Sequence, residues 1–87
     1  RQQALLLYTC LTLAKERLVA GEPWTKVLAD TQTAFSNAAN TELEYFALLH
    51  PETFEIFESF SRESPQSICI AAFVGQVRLI DNLPIIP

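Results

Sequence analysis

The stretch Ser67–Asn82, SICIAAFVGQVRLIDN, decides the fold. Its first half is apolar at almost every position, as expected of a strand covered on both faces. Gly75-Gln76 then reads as a two-residue hairpin turn with glycine first. Val77–Ile80 reads as a short return strand. A strand, a tight turn and a returning strand predict an antiparallel pair.

Working upstream, "TELEYFALLH" (41–50) has a period of two. Leu43, Tyr45, Ala47 and Leu49 alternate with Glu42, Glu44, Phe46 and Leu48, so one face is apolar throughout and the other is polar only at its start. "HPET" is a turn, because Pro51 fixes its own φ and pushes His50 toward extended geometry. "FEIFES" is a short second strand, and "SRESPQ" a polar surface loop. Downstream, Pro84 and Pro87 end the regular structure and leave residues 84–87 as a tail or linker.

The first part of the chain changes period. Ala4, Leu7, Leu11, Ala14 and Leu18 recur at spacings of three and four, the mark of one helical face. Cys10 widens that stripe. Leu5 and Leu6 fall partly outside it, which predicts cover on a second side. Gly21 suits the left-handed position that ends many helices. Pro23 opens a second helix, since proline is tolerated in the first turn. Trp24, Val27, Leu28, Thr31, Phe35 and Ala38 form its stripe, opposite Lys26, Asp30, Thr33 and Asn37. Asn40 is a stop near its end. The short link predicts an antiparallel helical hairpin. Helices followed by strands give an α+β fold, the N-terminal helical hairpin packed on a three- to four-stranded antiparallel sheet.

The totals narrow the function. The 87 residues make one domain, 49% hydrophobic and 18% charged, too apolar for a disordered chain. Some of that apolar surface is expected to meet a neighbour. A net charge of −4 with scattered cations argues against a nucleic-acid phosphate binder. The longest strictly apolar run, Ile68–Val74, is far short of the ~20 residues that span a bilayer. No signal peptide is indicated. The absence of Met suggests a piece of a longer polypeptide. Cys10 and Cys69 sit in apolar runs and read as free thiols of a cytoplasmic protein, with a disulfide as the alternative.

No catalytic set emerges. Gly21 and Gly75 are the chain's two glycines, too few for a dinucleotide or phosphate loop. His50 is the lone histidine and reads as a turn residue; as a general base it has no nucleophile beside it. Glu42 and Glu44 share one strand face with Glu55 on a neighbouring strand. They read as a solvated edge that guards against unwanted strand pairing, and Glu52, Glu58 and Glu63 add no pattern. Trp24 reads as core. Arg78 and Asp81 flank apolar residues and read as an ion pair closing the last strand; contact with a neighbouring domain or a ligand phosphate is the alternative. No catalytic, cofactor-binding or metal-ligating residue is assigned.

The tail also carries a resemblance. Val74–Asn82, VGQVRLIDN, resembles the closing motif of pantothenate synthetases, Val-Gly-Lys-Thr-Arg-Leu-Ile-Asp-Asn, through Val74, Gly75, Arg78, Leu79, Ile80, Asp81 and Asn82. "ELEYFALLHPETFE" is similar to the family's strand–turn segment, Val-x-Tyr-Val-x-Leu-Val-Asp-Pro-x-Thr-Leu, at Tyr45, Leu48, Pro51 and Thr53. "ALLLYTCLTLAKERLVAGE" is similar to the first helix of its C-terminal domain. Gln76-Val77 replaces Lys-Thr, and His50 stands where Asp is usual, so the capping of that turn must differ.

The resemblance implies a parent ligase that joins pantoate to β-alanine with ATP and Mg²⁺ through pantoyl-adenylate. It implies an N-terminal Rossmann-like catalytic domain, a homodimeric parent, and a small C-terminal lid. Residues 1–83 would be that lid, inactive alone, with no cofactor of its own. The family's His-x-Gly-His and Ser-Arg-Asn elements are absent here, so no site residue carries over. Some members continue into a cytidylate kinase domain. The alternative is a free-standing α+β protein-interaction module.

Overall fold

Leu7, Leu11, Ala14 and Leu18 are all buried and share one side of α1, Gln2–Val19. The computed structural model describes the backbone of residues 2–85 and the side chains from Leu5 to Ile85. The expected contribution of Ala4 therefore lies outside the described side chains. Gly21 closes α1 with φ +100°. Its N–H donates to the Leu18 carbonyl at 3.0 Å, and the Glu22 N–H donates to the Arg17 carbonyl at 3.0 Å. This pair of bonds satisfies carbonyls that the helix end leaves free, and it needs a left-handed residue at Gly21.

α2, Trp24–Asn37, begins directly after Pro23 and buries Trp24, Val27, Thr31 and Phe35. Lys26, Asp30, Thr33 and Asn37 face water, as the spacing predicts. The link between the helices is clamped by ions. Arg17 Nε donates to Glu22 Oε1 at 2.8 Å, and Arg17 Nη2 to Asp30 Oδ2 at 2.7 Å. Lys26 Nζ adds a bond to the same Asp30 oxygen at 3.2 Å. The Glu22 and Asp30 bonds raise the Arg17 pKa, and the Arg17 and Lys26 bonds lower that of Asp30. The network sits in water, where such pairs fix geometry more than they stabilise.

Four strands form one sheet in the order β2-β1-β3-β4. They are β1 (Thr41–Leu49), β2 (Ile56–Phe57), β3 (Gln66–Val74) and β4 (Val77–Ile85). All three pairings are antiparallel. Both helices pack on one face, α1 over β3 and β4 and α2 over β1. Phe46, Leu48, Ile68, Ile70 and Ala72 point into the layer between and are buried. Trp24 of α2 stacks on Phe46, ring centroids 5.1 Å apart. The α+β expectation holds, with four strands.

Four local expectations change. First, β1 does not alternate cleanly. Leu43 pairs with Ala72 and Tyr45 with Ala71, so Glu44 and Tyr45 together oppose Ala71 in a β-bulge. The extra residue swaps the faces. Leu43 joins Phe46 and Leu48 under the helices, while Tyr45, Ala47 and Leu49 lie on the opposite side. Second, Pro84 does not end the sheet. It pairs with Ser67, and Ile85 pairs with Gln66 and is buried. β4 is an edge strand, where a residue without an N–H is tolerated. Pro87 lies outside the described residues. Third, Gln66 is not part of a surface loop; it opens β3 and is 2% exposed. Fourth, the second cover expected for α1 reaches only Leu6, which is partly buried against the core, while Leu5 is 61% exposed.

Candidate functional site

The residues of Val74–Asn82 are spent on building one end of the sheet. Val74 pairs with Val77, leaving Gly75-Gln76 as a two-residue turn. Gly75 has φ +61°. Its N–H donates to the Asn40 carbonyl at 2.8 Å, which ties the hairpin tip to the start of β1. Asn40 is itself left-handed, φ 65°, a conformation asparagine tolerates better than most residues. A Cβ at Gly75 would lie 3.2 Å from Asn40 Nδ2. Gly75→Ala is therefore expected to destabilise the chain by about 1–2 kcal/mol, read as a lower urea midpoint with an unchanged slope.

Arg78 and Asp81 do not form the expected ion pair. They stand three positions apart on one strand, so they point to opposite faces. Arg78 reaches across β3 to β1, where Arg78 Nε donates to Glu44 Oε1. The bulge puts Glu44 on that side of the sheet. The Glu44 bond raises the Arg78 pKa. Asp81 is half-buried on the helix-covered face, and its Oδ1 accepts the Asn82 N–H at 2.8 Å.

Beside the bulge, a groove of about 520 Å³ separates α2 from the outer edge of β1. Leu28, Phe35, Leu43 and Phe46 make its walls apolar, and Gln32 and Thr41 add neutral polar groups. Glu42 and Glu44 border it, but Glu44 is committed to Arg78. No histidine, cysteine or free cation among the lining residues joins them, so the groove offers shape without an acid–base pair.

His50 works as a turn residue. Its Nδ1 accepts the Glu52 N–H at 3.1 Å and the Thr53 N–H at 3.2 Å. The backbone closes the same turn, with the His50 N–H donating to the Glu55 carbonyl and the Phe54 N–H to the His50 carbonyl. The imidazole thus does what an aspartate carboxylate does in such turns, which explains how His50 stands in for Asp. The accepting nitrogen requires the proton on Nε2. His50→Ala is expected to lower stability by about 1 kcal/mol, and His50→Asp to restore most of it in thermal unfolding. Glu55 offers its backbone, not its carboxylate, and lies with Glu52 outside any cluster.

Cys10 and Cys69 are free and lie in different layers, Cys10 on α1 and Cys69 on the face of β3 turned away from the helices. Burial raises the pKa of both thiols, with a Ser67 hydrogen bond partly opposing the shift at Cys69. Among the described residues, no group of three His, Cys, Asp or Glu side chains is placed to hold a metal. No described helix is long and apolar enough to cross a membrane.

The residue that sequence reasoning missed is Gln66. Its Oε1 accepts the Ser61 N–H at 3.0 Å, and its Nε2 donates to the Ser59 carbonyl at 3.2 Å. It pins the connection between β2 and β3. The only signal was its position immediately before an apolar run.

Comparison with known proteins matches this architecture throughout. The pantoate-beta-alanine ligase family matches residues 1–84. The pantothenate synthetase of Chelativorans sp. (strain BNC1) is 35% identical over 85 residues, covering 98% of this chain and 29% of the relative. The bifunctional pantoate ligase/cytidylate kinase of Synechococcus sp. (strain JA-2-3B'a(2-13)) is 34% identical over all of this chain and 16% of its own length. The crystal structure of pantothenate synthetase from Thermus thermophilus superposes with a TM-score of 0.80 at 26% identity, covering all of this chain and 31% of that one. The chain thus spans under a third of the length of these relatives, and it matches the C-terminal part of pantothenate synthetase. Its helical hairpin, sheet and closing motif belong to the pantoate-beta-alanine ligase family.

Proposed function

We propose that this chain is the C-terminal lid of an ATP-dependent ligase that joins pantoate and β-alanine through pantoyl-adenylate. One observation carries the proposal: the whole chain matches under a third of each pantothenate synthetase. The described residues fit a supporting part. His50 is used in a turn and Glu44 in an ion pair. Both glycines stand at positive φ where elements end. On this proposal ATP, Mg²⁺, pantoate and β-alanine are held by an N-terminal Rossmann-like domain of the same polypeptide. The parent is cytoplasmic and homodimeric on this proposal. Residues 1–83 belong to the lid on the same proposal, and β4 continues its pairing with β3 through Ile85.

The chemistry gives a lid its purpose. An acyl-adenylate hydrolyses if water reaches it, and a closing cover keeps water out while the amine attacks. A rigid two-layer body suits that task without reactive groups. The test is to incubate the chain with pantoate, β-alanine and Mg-ATP. No AMP release is expected from the chain alone, and AMP with pantothenate from the full-length enzyme. AMP released by the chain alone would assign it a catalytic site and overturn the lid.

A further inference from the structure

The helices cover one face of the sheet; the other is open among the described residues. Its composition is unusual for a face in water, where an antiparallel sheet alternates toward polar side chains. Across the strands, Tyr45, Ala71 and Ile80 stand in one row, and Ala47, Cys69 and Asn82 in the next. β3, the strand at the centre, contributes no charge to this face. Ile80 is 56% exposed. The charged pair Arg78–Glu44 sits at one end. An apolar centre with polar groups at its margin is the anatomy of an interface. α1 also exposes Leu5, Tyr8 and Leu13, but Thr9, Thr12 and Glu16 interrupt them.

We propose that the open face of the sheet, centred on the exposed Tyr45 and Ile80, is the surface on which the rest of the ligase polypeptide packs. The proposal rests on the lid assignment and adds to it which side of the lid faces inward. The relatives supply the occupant, because this chain covers 29% of one and 31% of another, leaving the larger part to pack against something. A second copy is the weaker occupant, since each chain carries a net charge of −4 and like charges oppose association. Ala71 is itself fully buried, so contacts from a partner would fall on Tyr45, Ala47, Cys69 and Ile80 around it.

Cys69 reports on this face directly. In a Cys10→Ser background, its reaction with a thiol reagent is measured in the 87-residue chain and in the full-length enzyme. Packing on the open face predicts labelling slower by about tenfold or more in the full-length enzyme. Ile80→Asp in that enzyme is expected to return the rate toward that of the chain alone. The same change in the chain alone should lower its thermal midpoint only modestly, as a strand substitution at a largely exposed position does, and should leave its Cys69 labelling rate unchanged. Equal labelling rates in the two proteins would overturn the proposal. So would protection of Cys69 that appears in the chain alone as its concentration rises, which would identify a second copy as the occupant. Ligase activity assayed on the same full-length sample separates the two claims. Activity with an unprotected Cys69 leaves the lid and removes the docking face; protection without activity does the reverse.

Discussion

Trp24→Ala is expected to cost about 3–5 kcal/mol, the range for emptying a large aromatic from a packed core. Trp24 is 6% exposed and is the first residue of α2. Its ring stacks on Phe46 at 5.1 Å with 22° between the planes. It therefore joins the start of a helix to the middle of β1, and its loss removes both the buried area and the aromatic pair. A domain of this size is expected to have only on the order of 5–8 kcal/mol of stability. The variant should be close to half unfolded near physiological temperature, with a urea midpoint well below that of the parent. Trp24→Phe should retain most of the packing and lose far less. Because Trp24 is the sole tryptophan, its fluorescence follows unfolding of the parent, and circular dichroism serves the variants. A Trp24→Ala chain as stable as the parent would show that the stack contributes nothing.

The second large effect is expected at Gln66. Gln66→Leu keeps the volume and removes both side-chain hydrogen bonds. The Ser61 N–H and the Ser59 carbonyl then lose their partner in a part-buried setting. Each unsatisfied group costs about 1–3 kcal/mol, and partial access to water keeps the sum at about 2–3 kcal/mol. Gln66→Glu is the informative companion. It keeps the acceptor for Ser61 but points a carboxylate at the Ser59 carbonyl, so it should also destabilise. Hydrogen exchange at Ser61 should quicken in both variants relative to amides in β3. Unchanged exchange there would mean that the connection holds itself without Gln66.

The helical layer was legible because burial is periodic in it. Leu7, Leu11, Ala14 and Leu18 fall on one side whatever the tertiary context, and Gly21 marks the stop by backbone freedom alone. The β3–β4 hairpin was legible for a similar reason, since Gly75 places the turn. The bulge in β1 was not. The alternation in Thr41–Leu49 is correct within each half, but an inserted residue exchanges the two faces midway, and no residue type signals it. Leu43 and Tyr45 consequently part company. That same insertion brings Glu44 to Arg78, so the ion pair expected at Asp81 formed elsewhere. Pro84 misled because proline breaks a strand only where its N–H would face a partner. His50 was legible as a turn residue, whereas the service of its ring nitrogen to the Glu52 and Thr53 amides depends on a side-chain orientation that the turn itself fixes.

The two-residue link at Gly75-Gln76 has a consequence for the order of assembly. Joining β3 to β4 closes the smallest loop in the sheet, and hairpins of this kind form in about 1–10 μs. β1 must instead find β3 across residues 50–65, a slower search because more chain entropy is surrendered first. The hairpin should thus be formed in the transition state, and β2 should dock after it. Gly75→Ala would then slow refolding while leaving the unfolding rate almost unchanged, whereas a change in the 50–55 turn would mainly speed unfolding.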